Sequence, residues 1–202
     1  MLSSAMDQND RVHRHHHAVQ FYGNEQSLFV TVGAFLGEGL IAGQPAIIIA
    51  TPAHTAAILN DLARRLIDVA AAKRIGDLVC LDAEETLGTF MAGAMPDAGA
   101  FRKNVGDAIE QALAGRARTP VRAYGEMVDV LWKKGSAEAA IKLEIMWNDL
   151  ATSHAFQLLC GYSMGNFFKQ ADYYERVCEQ HTEVVTDPKI VPFERRGTPR
   201  SA

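Results

Sequence analysis

Five short apolar runs of this chain end on, or just before, side chains with chemistry of their own: Tyr22, Thr51, Asp82, Glu126 and Tyr162. Phenols and a hydroxyl can donate and accept hydrogen bonds to a small molecule. Carboxylates can hold a divalent ion or activate a water. Glu126 follows its run directly, in Arg122-Ala123-Tyr124-Gly125-Glu126, and Glu is a poor helix cap, so a pocket role is expected for it. Asp82 and Glu85 are accounted for by a capping box, Asp82-Ala83-Glu84-Glu85, whereas Glu84 is not needed for it and is expected at the groove. His17 enters the first run and either reaches the pocket or caps the strand. His54 is either a groove residue or a surface histidine. Trp132, Trp147 and Tyr162 read as core residues before ligand platforms, and Glu144 precedes Trp147 by about one helical turn.

The turn after the first run is where a doubly wound sheet would cradle phosphate. A working phosphate loop reads G-x-x-x-x-G-K-[ST]. Here the turn is Tyr22-Gly23-Asn24-Glu25-Gln26-Ser27, with one glycine, no lysine and a carboxylate, and the first lysine of the chain is Lys73. No H-E-x-x-H zinc signature and no nucleophile elbow occur. His13, His15, His16 and His17 read as loose chelators near a chain end. Cys80, Cys160 and Cys178 lack C-x-x-C spacing and read as buried structural thiols. The expectation is a non-enzymatic protein with no cofactor and no metal.

The elements that position these residues follow from periodicity. Ala18–Tyr22, Ala46–Thr51, Leu78–Asp82, Val121–Glu126 and Phe156–Tyr162 have strand character, and helical patterns separate them. Strands alternating with helices run parallel, so their carboxyl ends share one edge, where open α/β sheets bind ligands. The fold class is therefore α/β: a single three-layer domain, a mostly parallel sheet with helices on both faces. Asn24 caps a first helix with Leu28, Phe29, Val32, Phe35, Leu36 and Leu40 on one face, stopped by Gly43 and Pro45. A second helix opens at Thr51-Pro52 and carries Ile58, Leu59, Leu62, Leu66 and Val69 as one stripe. A short third helix carries Leu87, Phe90 and Met91. Others cover Phe101 to Leu113, Met127 to Lys134, Ser136 to Ser153 and about Phe168 to Gln180, and Thr182–Val185 adds an edge strand. Residues 1–14 read as a leader, 15–186 as the domain and 187–202 as a tail.

A chain of 202 residues suffices for one such domain. Net charge is −4, from 20 Lys and Arg against 24 Asp and Glu, with no basic face for duplex nucleic acid. No apolar stretch approaches the ~20 residues of a membrane span, so direct nucleic-acid or membrane contact is not expected and the cytoplasm is.

In order along the chain, several blocks resemble one family. They are His17-Ala18-Val19-Gln20-Phe21-Tyr22, Phe35 to Pro45, Ile49-Ala50-Thr51-Pro52-Ala53-His54, and Leu81-Asp82-Ala83-Glu84-Glu85-Thr86-Leu87. Val121 to Val128, Leu143 to Leu150, Leu159 to Tyr162 and Cys178 to Val185 complete them. Together they are similar to the MEDS domain, the methanogen/methylotroph sensory domain first described in a dichloromethane-responsive regulator. That resemblance implies a bacterial or archaeal, RecA/KaiC-like fold with a degenerate phosphate loop, used for sensing small, hydrocarbon-like molecules. Relatives are joined to histidine kinase, anti-sigma kinase or helix-turn-helix modules. The positions carried over as ligand-binding are His17, Tyr22, Thr51, Asp82, Glu84, Glu126 and Tyr162, and Asn24 stands where an acidic residue is frequent.

The expected function is thus a stand-alone sensory domain. It binds a small molecule at the strand edge and relays to a separate signalling partner, with homodimerisation an open option. The alternatives are a non-catalytic interaction scaffold and a cryptic nucleotide-binding enzyme.

Overall fold

The computed structural model describes residues 16–114, 119–167 and 171–186. The expected leader and tail, with His13 and His15, lie outside them, as do the first three residues of the expected last helix. Six strands form one parallel sheet: β1 His16–Tyr22, β2 Ala46–Ala50, β3 Leu78–Asp82, β6 Val121–Gly125, β7 Phe156–Ser163 and β8 Glu183–Thr186. Their order is β3-β2-β6-β7-β1-β8, and every neighbouring pair is parallel. The edge strand expected at Thr182–Val185 is β8, one residue further on, paired with β1.

Side chains alternate across these strands and build two cores. On one face Ala18, Tyr22, Ile48 and Tyr124 pack on helices α1 (Glu25–Ile41), α2 (Pro52–Arg64) and α3 (Val69–Arg74). On the other, Val19, Phe21, Ile49, Leu158, Cys160 and Tyr162 pack on α4 (Ala83–Gly88), α5 (Ala98–Leu113), α6 (Met127–Lys133), α7 (Ala137–Leu150) and α8 (Ala171–Glu179). Trp147 is buried as expected, edge-on to Phe101 and to Phe156 of β7.

Two expectations are corrected. The second helix does not run through Leu66 and Val69. It ends at Arg64; Leu66 takes a φ of 66° and is 94% exposed, and Asp68 caps the separate α3 by accepting from Ala71 N. An Asx cap starting a new helix outcompetes continuation of the stripe. The third helix stops at Gly88, before Phe90 and Met91. Met91 instead opens a small antiparallel hairpin, β4 (Met91–Ala92) with β5 (Met95–Pro96), turning at Gly93 with φ 64°.

The strand order defines three crevices. The chain leaves β1 and β2 toward the α1–α3 face but leaves β3, β6 and β7 toward the α4–α8 face. Loops from β2 and from both its neighbours, β3 and β6, therefore diverge, and so do those from β7 and β1. Such switch points are where doubly wound sheets open to ligands.

Candidate functional site at the strand edges

Two of these crevices are each bridged by one carboxylate from the start of α6. Glu126 stands at the N-cap of α6 without capping it. Its Oε1 accepts from Thr51 N at 2.6 Å, across the β2/β6 crevice, and its Oε2 accepts from the Tyr124 hydroxyl at 3.0 Å and pairs with His54 Nδ1. Three residues later, Asp129 spans the β7/β1 crevice. Its Oδ1 accepts from Ser163 N at 2.9 Å and its Oδ2 from the Tyr22 hydroxyl at 3.2 Å, with Lys133 Nζ 2.8 Å away. Glu126 and Asp129 are each 2% exposed, so both charges depend on these partners.

The electrostatics follow from burial and pairing. Burial pushes the Glu126 carboxyl up, but the hydrogen bonds from His54 and Thr51 N outweigh it and hold it below its usual range. His54 is raised by its bond to Glu126 against the opposing effect of burial. Its Nε2 lies 3.5 Å from Glu25 Oε1 in the first turn of α1. Tyr22 and Tyr124 are pushed up by burial and then by the neighbouring carboxylates, so both phenols stay protonated and donate. The α1 N-terminus itself is occupied by its own chain: Asn24 Oδ1 accepts from Gln26 N at 2.8 Å.

Tyr124 reaches Glu126 because β7 carries a glycine beside it. A Cβ on Gly161 would stand 2.7 Å from the Tyr124 hydroxyl and 3.3 Å from Leu28 Cδ1. Gly161→Ala is therefore expected to push the phenol off Glu126 and cost about 1–3 kcal/mol in urea unfolding. In the Tyr124→Phe background the same alanine should cost measurably less, since the clashing hydroxyl is gone.

The structure brings Thr51 and Glu126 together across the β2/β6 crevice and places Tyr22 at the β7/β1 crevice on Asp129. Asp82 stands at the end of β3 as a cap, accepting from Glu85 N, and exposed Glu84 pairs with Lys134 at 3.1 Å, neither of them bonded to Glu126 or Asp129. His17 and Tyr162 belong to a different cluster, on the α4–α8 face. There the Tyr162 hydroxyl donates to Glu144 Oε1 at 2.9 Å, and His17 Nε2 lies 3.2 Å from Glu144 Oε2. Cys160 is buried as expected, but beside His17 and Glu144 rather than in an apolar setting. Tyr124, Asp129 and His181 were not singled out from the sequence. Asp129 had one signal available, its i+3 spacing from Glu126 on a helix starting at a strand end.

The protein is a six-stranded parallel α/β sheet with buried carboxylates spanning two of its switch-point crevices and without a lysine at the α1 N-terminus. The family of the methanogen/methylotroph, DcmR sensory domain (MEDS) matches residues 16–181. The chain belongs to this family of sensory domains. No curated protein matches it.

Among the described residues no helix is long and apolar enough to cross a membrane.

Proposed function

We propose that this domain senses a small molecule at the strand edge, at the β2/β6 crevice, and relays its presence to a separate signalling protein in the cytoplasm. The observation that carries the reading is the buried Glu126 carboxylate, shared by His54, Tyr124 and Thr51 N at a topological switch point. A polar group costs free energy to bury, and a switch point is where such folds use one. Glu25, Glu126 and Asp129 make the region acidic, which favours a neutral or cationic hydrogen-bond donor and disfavours a phosphate.

The β1–α1 turn fits a phosphate loop that has lost its function within a RecA/KaiC-like ancestry. Asn24 takes up an amide of the α1 N-terminus, and Glu25 puts a negative charge where phosphate oxygens would lie. A non-catalytic role is the reading we adopt, with ligand exchange at Glu126 as the signal. Entry of a donor requires Glu25 or His54 to move, and α1 and α2 carry those residues.

A thermal-unfolding screen tests this, using short-chain alcohols, amides and amines, with inorganic phosphate and AMP as anionic controls. The expected result is a rise in Tm with a hydrogen-bond donor that is lost in Glu126→Gln. A response to the anions alone, or one that survives Glu126→Gln unchanged, contradicts the reading.

A second reading, an interaction scaffold, has its own observation. Ile41, Leu66 and Ile75 are 78%, 94% and 62% exposed at or just past the ends of α1, α2 and α3, toward the opposite edge of the sheet. In that reading Glu126→Gln leaves partner binding intact while charged substitutions at these three positions abolish it.

A further inference from the structure

Beneath the opposite face of the sheet, four side chains from four separate segments converge: His17 of β1, Glu144 of α7, Cys160 of β7 and His181 between α8 and β8. One donor atom from each lies within 4.8 Å of all the others. His17 Nε2 is 3.2 Å from Glu144 Oε2 and 3.4 Å from Cys160 Sγ; Cys160 Sγ is 3.5 Å from Glu144 Oε2; His181 Nε2 is 3.4 Å from Glu144 Oε1. Bonds of about 2.0–2.3 Å to a tetrahedral ion imply donor separations of roughly 3.3–3.8 Å; the triangle of His17 Nε2, Cys160 Sγ and Glu144 Oε2, at 3.2–3.5 Å, comes close to that, and His181 approaches from the Oε1 side of the same carboxylate. The side chains of His17, Glu144 and His181 have no exposed surface, and Cys160 is fully buried.

The outer contacts set the imidazoles for ligation. The Val177 carbonyl can only accept, so His181 Nδ1, 2.6 Å away, carries a proton and donates. Asn148 donates through Nδ2 to Gln180 O, which leaves its Oδ1 to accept from His17 Nδ1 at 2.9 Å. Each neutral ring therefore turns an Nε2 lone pair inward, the arrangement that carbonyl and amide partners impose on metal-binding histidines. His181 Nε2 is buried and makes no hydrogen bond among the described residues. Two lone pairs and a carboxylate facing one another are mutually repulsive unless a proton or a metal ion lies between them.

We propose that His17, Glu144, Cys160 and His181 form a closed binding site for a zinc-class divalent cation. Two neutral imidazoles, one carboxylate and one thiolate carry a charge of −2, which neutralises such an ion inside the protein. Binding displaces one proton, from the Cys160 thiol, to solvent. Imidazole, thiolate and carboxylate together in four-coordinate geometry suit Zn²⁺ or its Co²⁺ analogue rather than Mg²⁺ or Ca²⁺. The site would fasten the edge strand, because Thr182 N donates to His17 O at 2.7 Å immediately beside His181. It is independent of the crevice at Glu126, on the other face.

The test is a titration of the untagged full chain, stripped by chelator, with Co²⁺ and then Zn²⁺. It is done in a His13→Ala/His15→Ala/His16→Ala background so that outlying imidazoles do not compete. One equivalent of Co²⁺ with intense tetrahedral visible bands and a thiolate charge-transfer band in the near ultraviolet is expected, displaced by Zn²⁺. The charge-transfer band should vanish in Cys160→Ala and persist in Cys80→Ser, and Asn148→Ala should weaken binding roughly 10–100-fold. Hydrogen exchange in β8 should slow on loading. Failure of the folded chain with an intact four-residue cluster to take up either ion overturns the proposal, as do octahedral spectra or a band unchanged by Cys160→Ala. Uptake and spectrum with the intact cluster decide the matter even where a cluster variant does not fold.

Discussion

Glu126→Ala is expected to lower the unfolding free energy by roughly 3–5 kcal/mol, the range for removing one partner of a buried charged pair. The loss has three parts: His54 loses the main partner that raises its proton affinity, Thr51 N loses its acceptor, and the Tyr124 hydroxyl is left buried without one. Urea unfolding at neutral pH measures it. A cost below about 1 kcal/mol would mean that water replaces the carboxylate freely and that the crevice is wet.

The same pair gives a pH signature with two limbs. Glu126 is held below the usual carboxylate range, so its contribution is complete above the unfolded carboxyl pKa and fades as pH falls through the lower folded value. His54 is raised, so its contribution is complete below the unfolded imidazole pKa and fades as pH rises through the higher folded value. Their joint contribution is therefore largest between about pH 5 and 6.5. The stability difference between wild type and Glu126→Gln should be widest there and narrow on both sides. A difference that grows from pH 6.5 to 9 would reverse the assigned direction for His54.

Glu144→Ala is the second large effect, again roughly 3–5 kcal/mol. Burial pushes this carboxyl up, but the His181 and His17 imidazoles beside it win and hold it well below its usual range. Without it the two rings, 4.1 Å apart between centroids, lose the carboxylate that both face, and the buried Tyr162 hydroxyl loses its acceptor. Measured in chelator, Glu144→Gln should cost less than Glu144→Ala, because the amide still accepts from Tyr162. Equal costs would show that the hydrogen bond contributes nothing and that charge alone matters.

Much of the fold was legible because strands and helices announce themselves through local periodicity. Ala46–Ala50 and Val121–Gly125 have strand character between turn residues, and Asn24 and Asp82 each cap a helix as their types prescribe. Leu66 misled because an apolar residue in helical register carries no sign that Asp68 will start a new helix two positions on. The site was legible only in part, for a related reason. Position at a strand end is a local property, so Tyr22, Thr51 and Glu126 could be read directly. Which crevice a side chain enters depends on strand order, and that placed Asp82 and Glu84 apart from Glu126 although all three follow strands. The Glu144 cluster joins residues as far apart as His17 and His181, a pairing that only the β1–β8 contact creates.

The most direct test of a strand-edge sensor is a backbone amide NMR titration with the strongest hydrogen-bond-donating compound from the thermal screen. Binding there should give chemical-shift changes concentrated at residues 22–26, 51–54 and 124–129, the two carboxylate-bridged crevices and the helix starts that border them, and absent in Glu126→Gln. Changes confined to the exposed ends of α1, α2 and α3, or saturable binding that leaves residues 51–54 and 124–129 unmoved, would show that the strand edge is not the sensing site.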